Sequence, residues 1–213
     1  MTTKTDPIAL VRIVDDDPEL LKSAAFLIRM AGYDVLPYES AASFLALDDG
    51  LRPGCIILDQ RMPGMTGLEL QEALLEKGST TPIIFLSAHG DIPMAMQAVH
   101  RGAMDFLVKP ADPEVLVAAV KKAVEKSIAE AQAADETEKV QNFVESLTER
   151  ELEVARLVAE GLLNKQIADR LSISLATVKM HRGNVTRKLG VRSAVAIARA
   201  LERAGEKTEG AAR

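Results

Sequence analysis

The residues that could carry chemistry stand at the ends of short apolar runs. Three acidic residues and one lysine share this position: Asp15 and Asp16 after residues 11–14, Asp59 after 55–58, and Lys109 after 106–108. The carboxyl ends of buried parallel strands meet in one crevice, so we expect these side chains to converge. Crowded carboxylates resist ionising together unless a cation joins them, and Mg²⁺ prefers such oxygen ligands. The set predicts an aspartate that accepts a phosphoryl group.

The elements that must position these residues alternate along the first 125 residues. Apolar runs predict strands at 10–14, 33–38, 55–58, 83–86 and 106–108. Amphipathic stretches predict helices at 18–31, 41–47, 67–77, 93–101 and 112–130. This alternation is typical of an α/β domain with a parallel sheet.

After Leu147 the sequence is helical throughout. Thr148 with Glu151 is predicted to form a capping box, and Asn164, Ser174 and Ser193 are predicted to be the N-caps of further helices. Four short helices in about 60 residues indicate a small bundle.

The domain boundaries follow from changes in composition. We predict an α/β domain over 1–125, a helical linker over 126–146, a helical domain over 147–205 and a flexible tail over 206–213. The linker is rich in Ala, Glu, Gln and Lys, and no Pro or Gly occurs between Pro113 and Gly161. Apolar residues recur at helical spacing from Val117 to Ile128, and this stripe either packs on its own sheet or meets a partner chain.

Bulk composition excludes several classes of protein. Of 213 residues, 47% are hydrophobic, which is enough for real cores. The single cysteine, Cys55, excludes an internal disulfide and fits a reducing compartment. We expect no signal peptide, no membrane contact and a cytoplasmic protein, because no apolar run approaches the length of a bilayer span.

The net charge of −5 conceals a division between the two halves. Residues 1–145 hold 13 Lys+Arg against 23 Asp+Glu, whereas residues 146–205 hold 11 Lys+Arg against 6 Asp+Glu. The basic half predicts an anionic partner, with nucleic acid first, although charge alone leaves ordinary surface charge equally open.

Residues 8–125 resemble the receiver domain of two-component response regulators. The matching features are the pair Asp15-Asp16, the strand-end Asp59, the loop 62–67, Ser87 and Lys109-Pro110. The resemblance implies a flavodoxin-like fold with a five-stranded parallel sheet in the order 2-1-3-4-5.

The resemblance also implies a role for each of these residues. Asp59 would accept the phosphoryl group, with Lys109 and Ser87 contacting its oxygens. The implied Mg²⁺ ligands are Asp15, Asp16, Asp59 and the backbone carbonyl of Arg61. Ser87 and Phe106 would form the switch that follows phosphorylation. A homodimer would then form through residues 93–108 or through the helix at 112–130.

Residues 147–203 resemble the four-helix, helix-turn-helix DNA-binding domain of LuxR/NarL/FixJ-type regulators. The matching stretches are residues 147–154, 161–168, 171–174, 177–181 and 188–189. Residues 164–171 would form the first helix of the motif and residues 175–189 the recognition helix. Gly183 departs from relatives that place a basic residue there, so operator preference is not carried over.

The exposed face of the recognition helix gives candidate DNA contacts. For base or groove contact the candidates are Lys179, Met180 and Arg182. For phosphate contact they are Lys165, Thr177, Arg187 and Lys188, with His181 expected to pack or contact phosphate.

Together these features predict a phosphorylation-dependent, DNA-binding transcriptional regulator of a two-component phosphorelay. A sensor histidine kinase or small phosphodonor, double-stranded promoter DNA and RNA polymerase are the expected partners. The protein would be no enzyme beyond autophosphorylation and slow autodephosphorylation. The alternatives are a regulator controlled by partner or ligand binding without phosphate, and an aspartate-nucleophile phosphatase. No second acid follows Asp59 at short spacing to serve the phosphatase.

Overall fold

The computed structural model describes residues 9–88 and 92–206. These residues form two compact units that meet in sequence between Ala131 and Gln132. The elements of the first unit are β1 (Leu10–Val14), α1 (Pro18–Met30), β2 (Asp34–Tyr38), α2 (Ala41–Leu47), β3 (Gly54–Leu58), α3 (Gly67–Glu76), β4 (Ile83–Ser87), α4 (Ile92–His100), β5 (Asp105–Val108) and the first part of α5 (Pro113–Glu145). Those of the second are the rest of α5, α6 (Glu149–Ala159), α7 (Asn164–Leu171), α8 (Leu175–Lys188) and α9 (Ala194–Arg203).

The first unit contains one five-stranded parallel sheet in the order β2-β1-β3-β4-β5. The predicted fold class and strand order are confirmed. In the register of the sheet, Val14 pairs with Leu58 and Ser87 pairs with Val108. The residues that follow these strands are therefore brought to one edge of the sheet.

Both faces of the sheet are covered, which explains why β1, β3 and β4 are buried along their whole length. On one face, α1 and α5 supply most of the helical side chains of the core. On the other, Phe44 of α2, Leu70 of α3 and Ala98 of α4 pack against the strands.

The apolar stripe of α5 lies on its own sheet. Val120 and Val124 are buried in the core, and Val117 and Ile128 pack against it. Because these side chains are already covered, the stripe offers no support for the predicted alternative of a dimer through residues 112–130.

Helix α5 is continuous and takes in both the helix predicted at 112–130 and the helical linker predicted at 126–146. Ser127 Oγ accepts a hydrogen bond from the Gly54 amide at 2.9 Å, so this part of the helix belongs to the first unit. Further along, Val144 is buried in the core of the second unit. The helix thus contributes to two cores, and tertiary contacts of this kind carry no signal in the local composition.

The second unit is the predicted bundle. Its core joins Val154 and Leu157 of α6, Ile167 of α7, Val178 of α8 and Ile197 of α9. Between α7 and α8 the chain turns over residues 172–174, and Ser172 adopts a left-handed conformation with φ of 52°. Over the ranges that the structure describes, no helix has the length and apolar character needed to cross a bilayer.

The predicted helix starts are mostly confirmed. Thr148, Ser174 and Ser193 each accept a hydrogen bond from the first turn of a helix, as predicted. The prediction for Asn164 is wrong, since Asn164 is the first helical residue and Leu163 precedes it.

Candidate functional site

The sheet places two aspartates side by side. The Asp59 amide donates to the Val14 carbonyl at 2.8 Å, and the Asp15 amide donates to the Tyr38 carbonyl at 3.1 Å, so the strand ladder continues one residue past each strand. Asp15 and Asp59 are 2% and 5% exposed, whereas Asp16 is exposed to solvent. The expected convergence is therefore observed for the two buried carboxylates, Asp15 and Asp59.

Lys109 joins these two carboxylates. Its Nζ donates to Asp15 Oδ2 at 2.6 Å and to Asp59 Oδ1 at 2.8 Å. The Lys109 amide also donates to the Ser87 carbonyl at 2.8 Å, which fixes the backbone just beyond β5. Residues far apart in sequence thus form one charged cluster at the carboxyl edge of the sheet.

Backbone amides hold the remaining oxygens of the pair. Asp15 Oδ1 accepts from the Asp17 amide at 2.9 Å, and Asp59 Oδ2 accepts from the Arg61 amide at 2.7 Å. Each carboxylate therefore has one oxygen on the ammonium and one on a loop amide. Such bonds fix the orientation of both groups before any partner binds.

Burial and charge act against each other at this cluster. Burial raises the pKa of Asp15 above its ordinary value, although the hydrogen bond from Lys109 opposes the rise. For Lys109, burial alone would lower the pKa, but its bonds to Asp15 and Asp59 outweigh this and leave the pKa raised. One ammonium facing two carboxylates leaves the cluster anionic, which favours a further cation.

Ser87 and Phe106 lie on neighbouring strands beside the cluster. Ser87 ends β4 and is 1% exposed. Phe106 of β5 is half-buried, and its ring stacks on Phe85 with centroids 5.8 Å apart. The structure thus places both predicted switch residues next to the strand ends that carry Asp59 and Lys109.

Gly67 is a site residue that the sequence marks only as the end of the loop at 62–67. A Cβ at this position would lie 2.4 Å from the Asp59 carbonyl oxygen and 2.9 Å from the Phe85 ring. Only glycine allows the start of α3 to pack this closely on the backbone of Asp59. A long-range approach of this kind leaves no local signal in the sequence.

The helix-turn-helix presents part of the predicted DNA-contacting set to solvent. Lys165, Lys179 and Met180 are exposed. Thr177 is half-buried, and its hydroxyl lies 2.7 Å from that of Ser174, where it supports the start of α8. Arg187 is exposed and its guanidinium bonds Asn184 Oδ1 at 2.8 Å on the same helix.

Two predicted contact residues face the interior of the motif in part. Arg182 donates to Asn164 Oδ1 at 2.8 Å, which links α8 to the start of α7. This bond explains why Asn164 does not cap its own helix. His181 is half-buried, and its Nδ1 is enclosed without a hydrogen-bond partner among the described residues.

Lys188 is held within the domain. Its ammonium donates to Glu151 Oε2 at 2.6 Å and to the Ser146 carbonyl at 2.9 Å. The structure thus shows a link between the end of α8 and the start of α6, where the sequence predicts a phosphate contact. Glu151 belongs to the capping box at the start of α6, and this position brings its buried carboxylate within reach of Lys188 on α8.

Comparisons with known proteins match a known family to each of the two units. The response regulator receiver domain family matches residues 11–121, and the LuxR family of bacterial regulatory proteins matches residues 145–201. The chain is a response regulator.

Relatives match the response regulator over nearly its whole length. It is 42% identical to the response regulator protein TmoT of Ectopseudomonas mendocina, over 93% of this chain and 90% of TmoT. It is 39% identical to the transcriptional regulatory protein FixJ of Rhizobium meliloti strain 1021, over 86% and 90%. The solved structure of the response regulator StyR matches with a TM-score of 0.86 at 39% identity, covering 92% of this chain and all of StyR.

Family membership establishes the general function. The protein is a phosphorylation-dependent, DNA-binding transcriptional regulator of a two-component system, and a protein of this architecture is not a classical enzyme.

The acidic cluster of this response regulator fits a magnesium ion in its chemistry. Asp15 and Asp59 are oxygen donors in an anionic setting, and Asp16, the next residue in sequence after Asp15, is exposed to solvent. Among residues 9–88 and 92–206, no three His, Cys, Asp or Glu side chains are gathered closely enough to hold a metal by themselves. Backbone oxygen, water or phosphate would have to complete the shell, as is usual for Mg²⁺.

Proposed function

We propose that Asp59 is the phosphoacceptor of this regulator. The observation that supports the proposal is that the Lys109 ammonium bonds both Asp59 and Asp15 at the carboxyl edge of the sheet. An Asp59 oxygen attacks the phosphorus of the donor, the bond from phosphorus to the donor atom breaks, and an acyl phosphate results. The donor is a sensor histidine kinase or a small phosphodonor.

Lys109 supports this transfer as a mobile point charge. In the unphosphorylated protein it is paired with Asp59, whose negative charge moves outward to the phosphoryl group on transfer. The Lys109 ammonium then moves to bond one phosphoryl oxygen, while the Ser87 hydroxyl donates a hydrogen bond to another. Slow hydrolysis of the acyl phosphate would return the protein to its first state.

We propose Asp15, Asp16, Asp59 and the carbonyl of Arg61 as the groups that hold Mg²⁺. When bound, the ion neutralises the phosphoryl oxygens, which carry most of the charge in the transition state. The chain's own contribution is orientation, because amides of the two loops already fix Asp15 and Asp59.

The switch that we propose passes through Ser87 and Phe106 to the surface of α4 and β5. These two elements pack together, and their side chains Met96, Val99 and Val108 are about half exposed. An exposed apolar surface of this kind favours association, so phosphorylation would promote a homodimer through residues 93–108. A coupling of about 1–3 kcal/mol would suffice for a population shift.

The second unit then binds promoter DNA in the cytoplasm, with RNA polymerase as a further partner. The start of α8 enters the major groove, where Lys179, Met180 and Arg182 approach base edges. Lys165, Thr177 and Arg187 approach phosphates. A phosphorylated dimer binds paired half-sites more tightly, because the second module binds at increased effective concentration.

Phosphorylation of matched variants tests the first step. The full-length protein is incubated with Mg²⁺ and acetyl phosphate, and the addition of one phosphoryl group is followed by mass spectrometry. Asp59→Ala should abolish the addition, whereas Asp169→Asn, at an exposed position of α7, should leave it unchanged. Undiminished phosphorylation of Asp59→Ala would contradict the proposal.

A further inference from the structure

A buried glutamine joins α3 to the end of α4. Gln71 is 1% exposed, and its Nε2 donates to the Ala98 carbonyl at 3.1 Å and to the Arg101 carbonyl at 3.3 Å. Both carbonyls lie at the C-terminal end of α4, where helix carbonyls lack partners in the next turn of their own helix. One side chain of α3 therefore fixes this end of α4.

The oxygen of the same amide has no partner. Gln71 Oε1 is enclosed and accepts no hydrogen bond from residues 9–88 or 92–206. The opposite orientation of the amide would set this oxygen against two carbonyl oxygens, so the partners of Nε2 determine the orientation. A buried acceptor without a partner costs about as much free energy as two such bonds gain. Stability alone does not explain an amide at this position, whereas the directional bonds that it makes to α4 do.

The same face of α3 contacts the proposed phosphoacceptor. Gly67 begins the helix one turn before Gln71, and its amide donates to the Gln60 carbonyl at 3.0 Å. A Cβ at Gly67 would lie 2.4 Å from the Asp59 carbonyl oxygen, so the two backbones are in close contact. Residues four apart share a helix face. This face of α3 therefore has the backbone of Asp59 at its start and the end of α4 one turn further on.

The anchored end of α4 leads directly into β5. After Arg101 the chain turns, the Met104 amide donates to the Ile83 carbonyl at 2.8 Å, and β5 follows at Asp105–Val108. Gln71 therefore contacts the chain close to the point where α4 is joined to β5, and these two elements form the proposed dimer surface.

We propose that Gln71 is a positioning residue that transmits phosphorylation of Asp59 through α3 to the α4–β5 surface. Closely packed backbones move together, so a displacement of Asp59 on phosphorylation moves the start of α3. Gln71 then moves the end of α4 through its two bonds. This route is separate from the one through Ser87 and Phe106. It rests on the proposed function, since it requires phosphorylation of Asp59 and association through residues 93–108.

Gln71→Met tests this route. Methionine is unbranched and of similar length, so it fills the space of the glutamine but donates no hydrogen bond. The full-length variant should unfold within about 4 °C of the wild type, because the loss of two bonds is offset by removal of the unpaired oxygen.

The decisive measurement is the effect of phosphorylation on dimerisation. Sedimentation equilibrium gives the dissociation constant of the dimer with and without acetyl phosphate and Mg²⁺, at a phosphorylated fraction that mass spectrometry shows to be equal for each protein. The ratio of the two constants should be about fivefold smaller in Gln71→Met than in the wild type. A merely structural role would change both constants alike and leave the ratio as it is.

Glu72→Gln is the matched control. Glu72 is the next residue along α3 and also links it to α4, through an ion pair with Arg101 at 3.2 Å. Because this pair is accessible to solvent, it holds the two helices only weakly. The variant should keep both the stability and the ratio of the wild type.

Four results would overturn the proposal. A wild-type ratio in Gln71→Met would show that the amide transmits nothing. An equal fall in Glu72→Gln would show that any weakening of the contact between α3 and α4 has this effect. Unfolding of Gln71→Met far below the wild-type temperature would show that the fold itself requires the amide. A wild type that is phosphorylated without dimerising would remove the proposed switch as well, and so is distinguishable from a failure of the Gln71 route alone.

Discussion

The ammonium of Lys109 lies 2.8 Å from Asp59 Oδ1 and occupies the space between two buried carboxylates. The same Nζ is 2.6 Å from Asp15 Oδ2, so one positive charge serves both. In the unphosphorylated protein, Lys109 therefore provides part of the neutralisation that a divalent cation would provide. Lysine and metal should compete for the same carboxylates.

This competition predicts that Lys109→Met binds Mg²⁺ more tightly than the wild type. Removal of the ammonium deepens the negative potential at Asp15 and Asp59, and a gain of about 1 kcal/mol corresponds to roughly fivefold in affinity. Isothermal titration of the full-length protein with Mg²⁺ measures the change. Lys77→Met, at an exposed position beyond α3, should leave the affinity unchanged. Weaker magnesium binding by Lys109→Met would show that Lys109 assists the metal rather than competing with it.

A second prediction concerns the close packing of Gly67 on Asp59. Gly67→Ala places a methyl group 2.4 Å from the Asp59 carbonyl oxygen and 2.9 Å from Phe85, so the start of α3 or the end of β3 must shift. We expect a loss of about 2 kcal/mol or more in the free energy of unfolding, and slower phosphorylation because Asp59 moves. Denaturant unfolding and the acetyl phosphate assay measure the two effects. Gly183→Ala is the control, because the same substitution there meets open space. A Gly67→Ala protein as stable and as reactive as the wild type would refute this account of the site.

The sequence was sufficient to predict the sheet and the residues at its edge. Apolar runs such as 55–58 are short, buried and bounded by polar residues, and strands of this kind leave a clear pattern. Strand ends are also where side chains of distant residues meet, so the proximity of Asp59 and Lys109 followed from the fold class. The role of Gly67 did not, because it depends on the distance between two backbones.

In the DNA-binding half, sequence located the helices better than the contacts of their side chains. The resemblance to the helix-turn-helix domain gave the bounds of α7, yet the cap predicted at Asn164 was wrong, and Arg182 instead binds the Asn164 side chain. The link between Lys188 and Glu151 spans 37 residues of sequence. Charge in the sequence shows which residues are basic but not which of them are already paired.

A third prediction uses an unpaired charge of α8. Lys179→Met should leave the unfolding temperature within about 1–2 °C of the wild type, because the side chain is exposed and makes no bond within the described residues. DNA affinity should fall, and the slope of log affinity against log salt should decrease by about 1 if Lys179 neutralises one phosphate. Fluorescence anisotropy over a series of salt concentrations gives the slope. Lys121→Met, on the exposed face of α5, is the control. An unchanged slope with weaker binding would indicate contact with a base instead.

The pairing of Glu151 with Lys188 gives a prediction for acid stability. The hydrogen bond from Lys188, with a further bond from the Thr148 amide, lowers the pKa of Glu151 from 4.5 to about 2. A carboxyl group whose pKa is lowered by folding stabilises the protein above its unfolded pKa. This stabilisation is lost as the pH falls from about 4.5 towards 2. The lowered pKa corresponds to at most about 3 kcal/mol at neutral pH, and screening by solvent reduces this to about 2 kcal/mol.

Glu151→Gln should therefore be less stable than the wild type at pH 7, and the difference should shrink steadily below about pH 4.5. Far-UV circular dichroism of the full-length protein can follow the unfolding of the helices. Tyrosine fluorescence cannot, since both tyrosines lie in the first unit and the chain has no tryptophan. Glu149→Gln, at an exposed position in the same turn of α6, should show no such dependence. A difference between wild type and Glu151→Gln that stays constant from pH 7 to pH 2 would mean that the ion pair does not stabilise the fold.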